Sequence, residues 1–156
     1  MPFVSSASSG DTLNIATFFL DDNQDALDLI KDTIDRAGIK NYHLYTDEDK
    51  FLAGLTDDIH ICVVDHGLTK RTGLDILDEV KSKNEGSFFI AYTIAFDSDI
   101  IIDYLNRGAD RFIDKNKDNS LELLTRYLKD GFEIGMKRIE YASYLRTKRD
   151  RLISHD

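Results

Sequence analysis

Apolar residues recur along this chain in two rhythms. Short, nearly unbroken apolar runs fall at residues 13–20, 59–64 and 87–93, with shorter ones at 42–45 and 111–114. Between them, apolar positions return every three or four residues, the spacing of a buried helical stripe. Ala26, Leu27, Ile30, Ile34 and Ala37 form the first such set, and Phe51, Leu52 and Leu55 the second, within 47–55. Leu74, Leu77 and Val80 mark a helix over 73–83, and Ile100, Ile101, Tyr104 and Leu105 mark the next. Gly38 stands where a C′ residue would end the first helix, and Gly108 closes the fourth. A last helix is expected from an Asn119 or Ser120 N-cap onward. Five strands thus alternate with five helices. Strands that do not alternate polar with apolar are buried on both faces, which calls for a parallel sheet covered by helices. Right-handed crossovers make that sheet doubly wound.

Composition narrows the class. At 156 residues, 42% hydrophobic and 31% charged, the chain suits one globular domain. The reading is a disordered Ser/Gly-rich arm over 1–11, an α/β domain over 12–130 and an extended helix over 131–156. No apolar run approaches the ~20 residues of a membrane span, and no secretory signal is visible. Cys62 stands alone, so neither a disulfide framework nor a thiolate metal site is available, and a cytoplasmic setting is expected. The net charge is −9 and uneven. Residues 136–156 hold six basic and three acidic groups, leaving 14 basic and 26 acidic in residues 1–135. So acidic a body repels phosphate backbones, and no nucleic-acid partner is expected.

In a doubly wound sheet, ligands bind outside the carboxyl ends of the strands. The polar residues at those ends are therefore the candidate site. They are Asp21 and Asp22 after the first strand, Asp65 after the third, Thr93 at the end of the fourth, and Asp114 and Lys115 at the end of the fifth. Each alone has a structural explanation, such as an N-cap after the first strand or a solvated lysine. Together they place crowded carboxylates, a hydroxyl and an ammonium on one rim. Crowded carboxylates resist ionising together, and a divalent cation relieves the repulsion. Oxygen-only ligands favour Mg2+. A carboxylate is also a nucleophile toward phosphoryl groups.

Over about residues 13–128 the chain resembles the receiver domains of two-component phosphorelay. The resemblance rests on Asp21-Asp22, on Asp65 44 positions after Asp21, and on Gly73-Leu74. It rests further on Thr93, on Gly108-Ala109-Asp110, and on Lys115 22 positions after Thr93, with Phe112 three residues before the lysine. It implies a flavodoxin-like sheet of order 2-1-3-4-5 with an extended C-terminal helix. It implies Asp65 as phosphoacceptor, taking its group from a histidine kinase or phosphotransfer protein. Mg2+ would be held by Asp21, Asp22, Asp65 and the backbone carbonyl of Gly67. Lys115 would pair with Asp65 and then with a phosphoryl oxygen. Thr93 and Phe112 would form the switch. Such a chain catalyses its own phosphorylation, with autophosphatase activity, and is not a turnover enzyme.

Three positions depart from the family pattern. Ile94 stands where a small residue is usual and is expected to shield the site. Asn116 replaces the proline after the lysine, so a trans peptide is expected there. The loop Asp65-His66-Gly67-Leu68-Thr69 lacks the usual Met-Pro, and His66 is expected to line the site entrance. These departures leave a pseudo-receiver, a module for interaction or dimerisation alone, as the alternative. The last helix carries a heptad pattern: Leu128, Gly135 and Ala142 at one position, Phe132, Ile139 and Ile153 at another, Leu145 and Leu152 beside them. A homodimer through this helix is expected, with Gly131 and Gly135 weakening the seam. Ser154-His155-Asp156 resembles the start of a histidine-kinase phosphoacceptor box, which would make His155 a second phosphoacceptor and the receiver part of a hybrid kinase.

Overall fold

Five parallel strands form one sheet in the order β2-β1-β3-β4-β5. They are β1 (Thr17–Leu20), β2 (Tyr42–Tyr45), β3 (Ile61–Val64), β4 (Phe88–Thr93) and β5 (Arg111–Asp114). The helices are α1 (Gln24–Arg36), α2 (Glu48–Gly54), α3 (Gly73–Lys83), α4 (Ser98–Asn106) and α5 (Ser120–Ser154). This computed structural model describes residues 15–94 and 97–154; the expected arm over 1–11 and His155 lie outside the described residues.

Local chemistry starts and stops these elements. The Asn23 side chain accepts a hydrogen bond from the Ala26 N–H, and Asp47 accepts one from Lys50 N–H. Thr72 and Asp75 form a reciprocal capping box at α3. Asp97 caps α4. Gly38 follows α1 at φ 84°, and Gly108 follows α4 at φ 104°, backbone that side chains disfavour.

Successive strand residues point to opposite faces, so each strand feeds two cores. Phe19, Ile61, Val63, Phe88 and Ile90 pack against Leu27, Ile30 and Ile34 of α1 and Leu124 and Leu128 of α5. Phe18, Leu20, Cys62, Val64 and Phe89 meet Phe51 of α2, Ile76 and Leu77 of α3, and Tyr104 of α4. Every residue of β1, β3 and β4 is buried, as the unbroken apolar runs require. The expectation fails at β2 and β5. These are edge strands with one neighbour each, and His43 is exposed while Arg111, Phe112 and Asp114 are half-buried. The first strand is also shorter than expected, starting at Thr17, with Ile15 and Ala16 buried ahead of it. Cys62 is a small core residue whose thiol burial pushes up to about 12.

The long last helix divides in two. At 35 residues it spans about 52 Å. Leu124 and Leu128 are fully buried, and Phe132, Met136 and Ile139 pack half-buried against the same core. Gly131 and Gly135 bring this stretch close to the sheet. A Cβ on Gly131 would stand 3.0 Å from Phe88 and 3.2 Å from Ile61, and one on Gly135 would stand 3.1 Å from Ile15. These glycines therefore permit docking onto the chain's own domain, a role the heptad reading did not give them. Leu128, Phe132, Gly135 and Ile139 belong to that interface, not to a seam awaiting a second helix. Exposed apolar side chains begin farther along, with Tyr141, Tyr144, Leu145, Leu152 and Ile153.

Candidate functional site

The strand order reverses between β1 and β3: the chain leaves β1 for β2 on one side and returns to β3 on the other. Leu20 pairs with Val64 across these strands, so Asp21 and Asp65 emerge at one level on neighbouring strands. Parallel strands lie about 4.8 Å apart, which puts the two carboxylates within contact range by construction. Asp65 N–H donates to Leu20 O at 3.0 Å, and Asp21 N–H to Tyr45 O at 3.1 Å, extending the ladder to these residues.

Lys115 arrives from β5, two strands beyond β3. Its backbone N–H donates to Thr93 O at 2.9 Å. Its side chain crosses β4, with Nζ 5.4 Å from the centre of the Tyr92 ring. The ammonium then hydrogen-bonds Asp21 Oδ2 and lies 3.7 Å from Asp65 Oδ2. One cation thus bridges two carboxylates. Asp22 adds a third: one oxygen each from Asp21, Asp22 and Asp65 lie within 4.8 Å of one another. The three differ in exposure, Asp21 being buried, Asp65 half-buried and Asp22 exposed. Burial holds the Asp21 carboxyl above its ordinary range, against the pull of the hydrogen bonds from Lys115 and the Asn23 N–H. An all-oxygen set with a buried, incompletely neutralised carboxylate fits a hard divalent cation.

The turn after β3 is tightly held. His66 N–H donates to Asp65 Oδ1 at 2.8 Å, leaving Oδ2 toward Lys115. Leu68 and Gly73 N–H both donate to His66 O, and Gly67 bridges to Thr72. Glu48 of α2, 4% exposed, accepts from Lys70 N–H at 2.8 Å, and Asp49 binds Lys70 and Arg71. Gly67 lies inside this braced turn, two residues past Asp65.

The other expected residues fall around the same rim. Thr93 is buried at the end of β4. Phe112 is half-buried, its ring edge-on to Tyr104 at 5.7 Å. Ile94, expected to shield the site, is 42% exposed. The Lys115–Asn116 peptide is trans, and the loop is closed by Asp114, whose Oδ1 accepts from Asn116 N–H at 2.9 Å.

Two residues, Tyr104 and Glu48, escape the sequence reading, and Gly73 has a steric role the sequence does not show. Tyr104 registers there only as an apolar helix position, yet its hydroxyl lies 2.6 Å from His66 Nδ1. Gly73 counts in the sequence only as part of the Gly73-Leu74 motif, but a Cβ there would overlap the Tyr104 hydroxyl and stand 2.6 Å from Asp65 O. Glu48 looks like an ordinary acidic first-turn residue. The available signals were slight: a tyrosine among isoleucines, and a glycine at a helix start.

Among the described residues, no helix is long and apolar enough to cross a membrane. No curated protein sequence matches the chain. Solved structures do. The response regulator DrrB of Thermotoga maritima, an OmpR/PhoB homolog, superposes with a TM-score of 0.67 at 19% identity, covering 76% of this chain and 52% of that one. The chain therefore spans about half of DrrB. A CheY-like response regulator receiver domain protein from Methanospirillum hungatei gives 0.69 at 20% identity, over 79% of this chain and 97% of that one. The beryllofluoride-activated NtrC4 receiver domain dimer gives 0.65 at 14%, over 75% and 98%. Identities this low speak for the fold. The family follows from the sequence pattern of the response regulator receiver domain, which matches residues 18–127 and so takes in Asp21, Asp65, Thr93 and Lys115. This chain belongs to the response regulator receiver domain family of two-component systems.

Proposed function

We propose that the chain accepts a phosphoryl group on Asp65 from the phosphohistidine of a histidine kinase or phosphotransfer protein, in a reaction that requires Mg2+. The carrying observation is the cluster of Asp21, Asp22 and Asp65 at the point where strand order reverses, with the Lys115 ammonium bridging Asp21 and Asp65. Asp65 Oδ2 attacks phosphorus; the oxygen–phosphorus bond forms as the nitrogen–phosphorus bond of the donor breaks, and the leaving imidazole takes up a proton. Asp21, Asp22, Asp65 and the Gly67 carbonyl are the residues that would hold the metal. When bound, Mg2+ offsets the carboxylate charge and stabilises the developing charge on phosphoryl oxygens. Lys115 then turns from Asp65 toward a phosphoryl oxygen. Thr93 donates its hydroxyl to the same group, and Phe112 takes up the space it leaves, altering the β4-α4-β5 surface that a partner reads. Hydrolysis by the same residues returns the switch. A cytoplasmic location belongs to this reading, resting on the lone, buried Cys62.

Incubation with Mg2+ and acetyl phosphate, followed by intact-mass measurement, is the direct test. The expected result is one added phosphoryl group, absent from Asp65→Asn. A chain that gains none, and binds no beryllofluoride at millimolar Mg2+, would be a pseudo-receiver.

The exposed side chains of Tyr141, Tyr144, Leu145 and Leu152 favour a second element, self-association through the far half of α5. NtrC4 is described as a dimer in its activated form. Removal of residues 141–156 spares the docked half of the helix and is expected to yield a monomer by solution mass measurement. Association unchanged by the truncation would exclude this helix as the contact.

A further inference from the structure

The phosphoacceptor turn rests on a side chain that the reaction itself does not use. Tyr104, on α4, is fully buried. Its hydroxyl lies 2.6 Å from Nδ1 of His66, the residue after Asp65. The hydroxyl serves either histidine tautomer, donating to a bare Nδ1 or accepting from a protonated one. His66 in turn donates its backbone N–H to Asp65 Oδ1 at 2.8 Å. Tyr104 is thus one side chain away from the carboxylate. The same ring stacks on Phe89 of β4 at 6.4 Å and meets Phe112 edge-on at 5.7 Å. The fit leaves no slack at the start of α3, where only the absence of a side chain on Gly73 makes room for the hydroxyl.

We propose that Tyr104 is a positioning residue for phosphoryl chemistry at Asp65, acting through its hydrogen bond to His66. The inference rests on the phosphoacceptor function proposed above. A buried hydroxyl with one partner strongly favours the geometry that keeps that partner. The partner's own backbone amide holds one oxygen of Asp65, so His66 orientation and carboxylate orientation move together. Asp65 Oδ1 stays occupied, and Oδ2 is presented toward Lys115. The linkage also runs outward. A turn displaced by phosphorylation pulls on α4 through the hydroxyl, beside the aromatic side chain expected to move. The bond therefore ties the state of Asp65 to the position of α4 by a route separate from Thr93.

Tyr104→Phe removes the hydroxyl and keeps the buried ring. Two measurements are made with the full chain: the rate of phosphorylation by acetyl phosphate at saturating Mg2+, and the amide shifts of α4 on adding beryllofluoride. Tyr104→Phe and His66→Leu are each expected to lower the rate about fivefold and roughly halve the α4 shifts. Apparent Mg2+ affinity should change less than about twofold, because the metal-binding oxygens remain. The double variant should be no slower than either single one, and His66→Asn, whose amide can meet the hydroxyl, should recover most of the rate. Multiplying effects in the double variant, or a Tyr104→Phe rate and α4 shifts equal to the parent's, would overturn the inference while leaving the phosphoacceptor reading intact. A parent chain that takes up neither phosphoryl nor beryllofluoride overturns both.

Discussion

The two ends of the sheet each carry a cluster of charged side chains, and they handle it differently. At the carboxyl rim, Asp21 and Asp65 share the ammonium of Lys115, Asp22 adds a third carboxylate beside them, and burial holds the Asp21 carboxyl high. At the amino rim, Asp110 sits between Lys81 at 3.6 Å and Arg138 at 2.7 Å, and also accepts from the Phe89 N–H at 2.9 Å. There the cations outnumber the carboxylate and their remaining donors find backbone oxygens. Lys81 donates to Ser87 O and Glu85 O, and Arg138 to Gly86 O. The amino rim is satisfied within the chain and ties β4, α3 and α5 together. The carboxyl rim is short of positive charge. Like-charge excess at a strand end marks chemistry; a closed set of donors and acceptors marks architecture.

That contrast is open to attack by substitution. Asp110→Ala should have the largest effect on stability. It leaves Lys81 and Arg138 facing each other and strips the Phe89 N–H of its acceptor, so a loss on the order of 3 kcal/mol is expected in urea unfolding. A loss no larger than that of an exposed aspartate would show that the amino rim is not a structural hub. Arg138→Gln keeps some hydrogen bonding and cuts one link to α5. A loss of about 1 kcal/mol is expected, with faster amide exchange in the α5 turn around Met136–Ile139.

Asp21→Asn should have the smallest effect and the opposite sign. The folded-state carboxyl titrates above its ordinary value of 3.8 because of burial. The unfolded chain therefore loses this proton first as pH rises. Whatever stability the group contributes is present below that ordinary value and is lost as pH climbs through the raised folded-state value. At neutral pH and in chelator, the asparagine variant should melt slightly higher than the parent. The gap should close toward acid, and Mg2+ should stabilise the parent more than the variant. A variant that melts lower in chelator at neutral pH would mean that the Lys115 contact outweighs the burial cost.

Much of this was readable from the chain. Five helical stripes and five apolar runs placed every element, because hydrophobic period is a local property. The strand-end residues Asp21, Asp65, Thr93 and Lys115 were readable because a parallel sheet delivers all its carboxyl ends to one rim. The edge strands β2 and β5 are less buried than their apolar runs predict, since period alone does not say which strand has only one neighbour. Gly131 and Gly135 depart from expectation for a related reason. A glycine in a helix looks like a weakness until the surface it approaches is known, here Phe88, Ile61 and Ile15.

The order of elements, the doubly wound architecture and the rim of acidic residues were written in the linear pattern of side chains, since each follows from spacing and strand direction. Tertiary structure alone decided which carboxylate is buried, which one Lys115 grips, and that Tyr104 reaches beneath the Asp65 turn. Those outcomes depend on desolvation and on distances between residues up to 94 positions apart, as between Asp21 and Lys115. Neither quantity exists until the chain has packed.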